Sequence, residues 1–239
     1  MLRLHGNDSQ ALRPHSLVLH SCYSAPMSDE KISNNEAIDA ALHLDGDPKN
    51  VKQFYEDWAK NYNVDTTSSD YTGPAISAKL LSQYLPTKDC KLLDAGCGTG
   101  LVGMELQALG YDNIDGFDLS DSMAEQAIAT GAYRQVQGGI DMMRATESYP
   151  EATYDAILSV GVFTLGHVPP EALTVLLRLT GAGGLLLVST RTHYYNQTNF
   201  QQLVDELTGS GQVKLLQVIR DAPYNNDGDG HYWVMQKST

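Results

Sequence analysis

The chain of 239 residues is 42% hydrophobic, enough to bury the core of one large α/β domain or, less comfortably, of two small ones. Its net charge of −13 comes from 29 acidic against 16 basic residues without a cluster of lysines and arginines, which argues against nucleic acid as a partner. No stretch approaches the roughly 20 apolar residues of a membrane span, so no membrane partner is expected.

Two features of the composition bear on location and on the extent of the domain. The three cysteines are irregularly spaced, unlike a disulfide framework or a zinc site, so we expect a reducing compartment and a cytoplasmic protein. Residues 1–26 fit either a weak organellar presequence or an unstructured extension upstream of a start at Met27. Pro14 would break an amphipathic helix, which favours the extension. We therefore predict an N-terminal extension over residues 1–46, disordered over at least residues 1–26, and a single domain over residues 47–239.

Two helices are predicted at the beginning of this domain, in a segment that covers residues 47–85. Asp47 followed by Pro48 is typical of a helix N-cap and first turn. One face of this first helix carries apolar side chains at helical spacing, namely Val51, Phe54, Tyr55 and Trp58. A second amphipathic helix is predicted over residues 75–85.

Strands and helices then alternate along the chain. Strands are predicted over residues 91–95, 113–118, 133–137, 154–160, 185–190, 213–219 and 231–236. Helices are predicted over residues 100–109, 121–130 and 198–208 and from Pro169 onward, with a glycine turn over 181–184. This order indicates an open, mainly parallel sheet with helices on both faces. Such sheets bind ligands at the carboxyl ends of their strands, so the loop after the first strand is the expected site.

That loop is rich in glycine and fits two cofactors. Residues 98–103 match GxGxxG, the dinucleotide fingerprint, and Asp118 lies twenty positions after Gly98. However, the first strand ends at Asp94, so the turn begins at Gly96 and Gly103 falls inside the following helix. The alternative pattern DxGxGxG begins at Asp94, where the strand stops, so its glycines fall in the turn without any shift in register.

Charge favours the second pattern. A pyrophosphate requires backbone N–H groups with no carboxylate in front of them, whereas Asp94 stands at the mouth of the turn. The same carboxylate can bind an ammonium group directly or through water. Gly96, Gly98 and Gly100 let the backbone turn tightly and approach a ligand, and Asp118 is placed to accept hydrogen bonds from two ribose hydroxyls.

The chain resembles the class I S-adenosylmethionine-dependent methyltransferases over roughly residues 50 to 236. The motifs that carry this resemblance are LLDAGCGTG at 92–100, FDLSxxM at 117–123 and YDAIL at 154–158. A subgroup that includes the methyltransferase-like protein encoded in the Williams–Beuren syndrome region and its bacterial relatives is similar at YxxWAxxY (55–62), VGVFTLGHVP (160–169) and STRT (189–192). The resemblance implies a Rossmann-like fold with a mostly parallel seven-stranded sheet, an antiparallel last strand, and S-adenosylmethionine as the cofactor.

The resemblance also implies roles for individual positions. The methionyl part of the cofactor would be bound by Asp94, Gly96 and Gly98, and the ribose by Asp118. Leu119 and Met123 would pack on the adenine, and either Ile140 or Asp141 would bind its amino group. Val160 and Gly161 would lie beneath the methyl group, and Tyr55 or Tyr62 would close over the cofactor.

The candidate catalytic residue is His167, which follows the fourth predicted strand and titrates in a range suited to a general base. Its alternative role is that of a helix-capping or solvent-facing histidine. Arg191, His193, Tyr194 and Tyr195 follow the fifth strand, where they could shape an acceptor pocket, while His231 and Tyr232 suit an edge strand. The acidic segment over residues 221–229 lacks the closing glutamate of a metal loop, so we expect a solvated turn and no metal.

Several functions are compatible with these features. The leading hypothesis is a methyltransferase that acts on an O, N or S atom of a small molecule. The alternatives are a protein methyltransferase and a non-catalytic regulatory protein that binds S-adenosylmethionine. An RNA methyltransferase is disfavoured by the acidic composition, and an NAD-dependent oxidoreductase by the register of the glycine loop.

Overall fold

The computed structural model describes residues 36–85, 87–226 and 228–239. Three helices come first: α1 (Glu36–Leu42), α2 (Pro48–Ser68) and α3 (Gly73–Ser82). The predicted extension over residues 1–26 lies outside the described residues. Helix α2 begins as expected, because the Asp47 side chain accepts a hydrogen bond from the Lys49 N–H at 2.8 Å.

Strands and helices alternate from residue 92 onward. Their bounds are β1 (Leu92–Ala95), α4 (Leu101–Ala108), β2 (Ile114–Phe117), α5 (Asp121–Ala129), β3 (Gln135–Gln137), a 3₁₀ helix (Met142–Glu147), β4 (Tyr154–Phe163), α6 (Ala172–Leu179), β5 (Thr180–Arg191), α7 (Thr192–Gln197), α8 (Phe200–Gly209), β6 (Val213–Asn225) and β7 (Gly228–Lys237).

The strands of the described residues form one seven-stranded sheet in the order β3-β2-β1-β4-β5-β7-β6. Strands β1 to β5 pair in parallel, and β7 runs antiparallel to both of its neighbours. The order reverses between β1 and β4, which is where an open sheet of this kind forms its ligand crevice. The predicted fold, a mostly parallel seven-stranded sheet with an antiparallel last strand, is therefore confirmed.

Two apolar cores lie on the two faces of the sheet. The short central strand β1 is buried throughout, so Leu92 and Leu93 point to opposite faces and enter different cores. Helices α6 and α8 cover the face of Leu93, and α3 and α4 cover the face of Leu92. A third, small cluster joins α1 to α2 through Ile38, Ala41 and Trp58.

The structure corrects some predicted elements. The glycine turn expected over residues 181–184 lies inside β5, where the pairing with β4 jumps from Tyr154–Thr180 to Ala156–Leu185 and so forms a bulge. Helix α7 was not predicted. Strands β6 and β7 extend beyond the predicted bounds into the acidic segment, so most of the expected turn is a bulged antiparallel ladder.

Candidate functional site

A cavity of about 330 Å³ opens at the carboxyl ends of β1, β2 and β4. Apart from Asp94, every residue predicted for the site lines this first cavity: Tyr55, Tyr62, Gly96, Gly98, Asp118, Leu119, Met123, Ile140, Asp141, Val160 and His167. The sheet topology brings them together because their segments follow neighbouring parallel strands or cover that edge. The predicted residues therefore meet at a cavity beside the switch point of the sheet, where open sheets of this kind bind ligands.

The glycine loop turns tightly between β1 and α4. Gly96 has φ +76°, and a Cβ atom at this position would lie 2.5 Å from Cγ2 of Val162. Gly98 has φ +54° and directs its N–H toward the Asp118 carboxylate. Both positions favour glycine. At Gly96 both the positive φ and the lack of room for a Cβ atom require it, and at Gly98 the positive φ alone does.

Asp118 stands at the end of β2, on the cavity wall. One carboxylate oxygen accepts a hydrogen bond from the Gly98 N–H at 2.8 Å, and the other accepts one from the Ser120 N–H at 2.9 Å. Burial raises the pKa of Asp118 to about 6, although these backbone N–H groups oppose the shift. Each oxygen has a second lone pair available, so the oriented carboxylate can accept hydrogen bonds from two neighbouring hydroxyl groups.

Asp94 lies outside the first cavity, in the buried end of β1, and is only 1% exposed. Its Oδ2 accepts a hydrogen bond of 2.6 Å from the Tyr133 hydroxyl, whereas Oδ1 is buried and has no partner among the described residues. Burial raises the pKa of Asp94 to about 7, against the lowering effect of the Tyr133 hydrogen bond. An orphaned carboxylate oxygen two residues before Gly96 suits a ligand that brings an ammonium group and does not suit a pyrophosphate.

Tyr133 is a site residue that the sequence analysis missed. Its hydroxyl accepts the Gly103 N–H at 3.0 Å while it donates to Asp94, so it caps an N-terminal amide of α4. A Cβ atom on Gly103 would lie 2.2 Å from Cζ of the Tyr133 ring, and Gly100 and Gly116 also face this ring. The last glycine of the GxGxxG match is therefore explained by an aromatic ring and gives no support to a dinucleotide.

The side of the first cavity that was predicted to hold the adenine is largely apolar. Leu119 and Met123 line this side, and so do both Ile140 and Asp141. The Ile140 N–H is bonded to the Asp118 carbonyl oxygen, and the Asp141 carboxylate caps the 3₁₀ helix by accepting the Met143 N–H at 2.9 Å. Further lining residues that were not predicted are Phe117, the first residue of the FDLSxxM motif, and Met142 and Met143.

Helix α2 covers the first cavity with two tyrosines. Tyr55 and Tyr62 both line it, while Trp58 packs in the small cluster between α1 and α2. The helix is tied to the amino end of α5 because the Glu56 carboxylate accepts the N–H groups of Asp121 at 2.6 Å and Ser122 at 3.0 Å.

His167 and Tyr55 form a hydrogen-bonded pair at the cavity wall. The His167 Nδ1 lies 2.9 Å from the Leu165 carbonyl oxygen, which can only accept, so we assign the proton to Nδ1. Its Nε2 then accepts the Tyr55 hydroxyl proton at 2.7 Å. Burial lowers the pKa of His167 and raises that of Tyr55 well above its ordinary value, so both groups are neutral near pH 7. Both ring nitrogens of His167 are thus used, one by the Leu165 carbonyl oxygen and the other by Tyr55, so the ring does not cap a helix.

A second cavity, of about 80 Å³, shares four lining residues with the first: Tyr55, Tyr62, Gly161 and His167. Of the residues predicted to shape an acceptor pocket, only Arg191 lines it. His193 is exposed, Tyr194 is buried and donates to the Val168 carbonyl oxygen, and Tyr195 packs on His231, which is itself 2% exposed.

The segment before α2 contributes to both cavities, which the sequence analysis did not anticipate. Gly46, which precedes α2, lines the first cavity, and α1 residues Ile38, Ala41 and Leu42 line the second. The predicted extension over residues 1–46 therefore includes residues that form walls of the site.

Neither a metal site nor a membrane span emerges from the described part of the chain. There, no group of three or more His, Cys, Asp or Glu side chains is arranged to hold a metal ion. No helix within the described ranges combines the length and apolar character needed to cross a membrane.

The parallel sheet, the glycine loop and the two aspartates define a class I methyltransferase fold, and the comparisons with known proteins agree. A family model described as "Methyltransferase domain" matches residues 71–239, so the chain belongs to the methyltransferase domain family. The predicted family is thus confirmed.

Three similar proteins illustrate how far the likeness extends. Methyltransferase-like protein 27 of Homo sapiens is 39% identical over 150 residues, which cover 62% of this chain and 59% of that protein, so the match spans less than two thirds of its length. Protein N-lysine methyltransferase METTL21A of Xenopus tropicalis is 23% identical over 219 residues, covering 81% of this chain and 94% of that protein. The solved structure of the [4+2]-cyclase SpnF has a TM-score of 0.65 at 15% identity, covers 83% of this chain and 98% of that chain, and shows the shared fold alone.

Proposed function

We propose that this chain is an S-adenosylmethionine-dependent methyltransferase that transfers a methyl group to an O, N or S atom of a small molecule. The observation that carries the proposal is the oriented carboxylate of Asp118, held by the Gly98 and Ser120 N–H groups on the wall of the first cavity. It suits a ribose with two free hydroxyls. The buried, unpartnered oxygen of Asp94 suits the ammonium group of the same cofactor.

The remaining contacts of the cofactor follow from the lining residues. Leu119 and Met123 would pack on the adenine, and the Asp141 carboxylate would accept a hydrogen bond from the adenine amino group. Gly96, which has no Cβ, allows the methionyl part to approach the backbone. When bound, the cofactor supplies a methyl group on a positively charged sulfur atom, which is an electrophile.

Catalysis then rests mainly on positioning by the chain. An acceptor held next to the first cavity gains up to about 7–11 kcal/mol from orientation alone. Acceptors that lose a proton also need a base, and the Tyr55–His167 pair supports one. The Tyr55 oxygen can take the proton of the acceptor while its own hydroxyl proton passes to His167 Nε2, so the acceptor keeps the electron pair that forms the new bond.

Titration calorimetry tests the cofactor assignment. We expect S-adenosylmethionine and S-adenosylhomocysteine to bind and NAD to bind far more weakly. Asp118→Ala should weaken S-adenosylhomocysteine binding by about tenfold or more, because hydrogen bonds to a charged group are lost. Asp112→Ala, which changes an exposed aspartate, is the matched control. Tight NAD binding without sulfonium binding would refute the cofactor, and an unchanged affinity of Asp118→Ala would refute the ribose contact.

A protein acceptor is the second candidate, favoured by the likeness to a protein N-lysine methyltransferase. Incubation of the chain with cofactor labelled on its methyl group and with cell extract distinguishes the two. Label in the small-molecule fraction supports the leading proposal, and label in protein supports the second. Label in neither fraction would favour a non-catalytic cofactor-binding protein.

A cytoplasmic location remains part of the proposal. It is supported by the free thiols of Cys90 and Cys97, the two cysteines among the described residues. Fractionation of cells that express the full chain tests it, and recovery in an organelle would contradict it.

A further inference from the structure

The second cavity adjoins the first at the Tyr55–His167 pair and at Gly161, which has φ +84° and donates its N–H to the Ser189 hydroxyl. An occupant of the second cavity therefore meets an occupant of the first next to the hydroxyl that can take a proton. If the proposed function holds, this is the place of the acceptor, and its lining defines the acceptor's chemistry.

Arg191 is the charged side chain of this lining, apart from the neutral His167. Its Nη1 donates to the Asn225 Oδ1 at 2.8 Å, and its guanidinium carbon lies 5.2 Å from the centre of the Tyr224 ring. The Tyr224 hydroxyl is in turn hydrogen-bonded to Ser189 at 3.0 Å and to Tyr71 at 3.3 Å. These contacts hold the guanidinium in place. Arg191 forms no ion pair with a carboxylate of residues 36–85, 87–226 and 228–239.

Much of the α1 and α2 side of the same cavity is apolar, and the hydroxyls of Thr66 and Ser69 on this side are already bonded to carbonyl oxygens of α2. Ile38, Ala41 and Trp58 line it and are each less than a tenth exposed. The cavity thus combines a fixed cation with a hydrophobic wall, and the two features together select a ligand that has an anionic group and an apolar body.

We propose that the second cavity binds a small acceptor bearing a carboxylate or phosphate group, which Arg191 holds while the apolar body packs against Ile38, Ala41 and Trp58. The inference rests on the proposed methyltransferase function and specifies its acceptor class. The bidentate geometry of the guanidinium suits either anion.

A cationic acceptor such as a lysine side chain is the contrary case. Several tyrosine rings line the second cavity, and aromatic faces attract cations. The guanidinium of Arg191 already lies over the ring of Tyr224, however, and its positive charge repels a second cation. The charge in the cavity therefore favours an anion.

Binding of three shape-matched probes to the full chain tests this proposal. Benzoate, benzamide and benzylammonium are titrated by NMR into the chain saturated with S-adenosylhomocysteine. We expect benzoate to bind about tenfold or more tightly than benzamide, and benzylammonium to bind most weakly. In Arg191→Gln the preference for benzoate should disappear, and in Arg191→Lys, which keeps the charge, much of it should remain.

The outcomes separate this inference from the function on which it rests. S-Adenosylhomocysteine affinity, measured on the same samples, should stay within about twofold in both variants, because Arg191 and the side chains that hold it, Tyr224 and Asn225, all lie outside the first cavity and none of them is assigned to the cofactor. Failure of the unmodified chain to bind S-adenosylhomocysteine would overturn the proposed function. Normal S-adenosylhomocysteine binding with equal affinities for benzoate and benzamide, or with a benzoate preference that survives Arg191→Gln, would overturn the anion site alone.

Discussion

Removal of one buried hydroxyl should change how cofactor binding depends on pH. The Tyr133 hydroxyl donates a hydrogen bond of 2.6 Å to Asp94 Oδ2, and this bond lowers the pKa of a carboxyl that is otherwise desolvated. Tyr133→Phe keeps the ring and removes only the donor. We expect Asp94 to bind a proton more readily in this variant, and a protonated carboxyl cannot pair with the ammonium group of the cofactor.

The magnitude follows from the charge on the acceptor. A hydrogen bond to a charged group is worth about 1.5–3 kcal/mol, which corresponds to a shift of about one to two pH units. In the unmodified chain, affinity for S-adenosylhomocysteine should rise as the pH increases through about 7, where Asp94 loses its proton. In Tyr133→Phe the rise should begin about one to two units higher, so that affinity near pH 7.5 falls by roughly tenfold.

Whereas cofactor affinity should rise with pH, the free energy of unfolding should fall with pH. Because burial raises the pKa of Asp94 from 3.8 to about 7, the carboxyl destabilises the fold as the pH rises between these values. Asp94→Asn should remove this component from urea titrations and should also flatten the pH dependence of cofactor affinity near 7.

Titration calorimetry between pH 6 and pH 9 measures the effect. Tyr111→Phe is the matched control, since Tyr111 is fully buried and donates to the Leu85 carbonyl oxygen at 2.8 Å, away from the first cavity. It should leave the midpoint of the affinity profile unchanged. A Tyr133→Phe profile that coincides with that of the unmodified chain would refute the role assigned to Asp94.

Three further changes probe the covering segment. Tyr55→Phe should slow methyl transfer to a hydroxyl acceptor by about 10²-fold or more, with cofactor affinity nearly unchanged, because it removes the hydroxyl bonded to His167. Glu56→Gln should lower the free energy of unfolding by about 1 kcal/mol and speed hydrogen exchange at the first amides of α5. Deletion of residues 1–46 should lower the unfolding free energy by roughly 2 kcal/mol, the burial of one isoleucine side chain, as measured by urea titration.

Each of these changes has a control within the chain. Tyr84→Phe removes a hydroxyl that bonds to Gln217, remote from both cavities, and should leave the transfer rate unchanged. Glu125→Gln alters an exposed glutamate of α5 and should leave exchange unchanged. A chain shortened only to Met27 should keep the unfolding midpoint of the full chain. If these controls behave like the variants they accompany, the contacts assigned to α1 and α2 are wrong.

The architecture and the position of the first cavity were predictable because both depend on local patterns. The alternation of apolar strands with helices predicted the sheet, and β1 ends at Ala95, so the turn begins at Gly96 as the glycine register indicated. Asp118 was found because the ends of neighbouring parallel strands meet at one edge, so a residue distant in sequence becomes a neighbour of Gly98.

The contacts that the sequence did not predict are those between segments that no sequence motif or residue spacing relates to each other. Tyr133 lies in a short connection before β3, and no spacing relates it to Asp94 or to Gly103. The hydrogen bond between Tyr55 and His167 spans 112 positions and depends on how α2 lies over the sheet. Helix α1 is short and weakly patterned, so its role as a wall is visible only in three dimensions.

The two ligand cavities draw on different parts of the chain. The contacts assigned to the donor come mainly from the ends of β1, β2 and β4, within the matched family region of residues 71–239. The apolar wall of the second cavity comes from α1 and α2, which precede that region. Substitutions in α1 and at Trp58 would therefore reshape the apolar wall without touching the first cavity, whereas Tyr55 and Tyr62 of α2 line both cavities and couple their shapes.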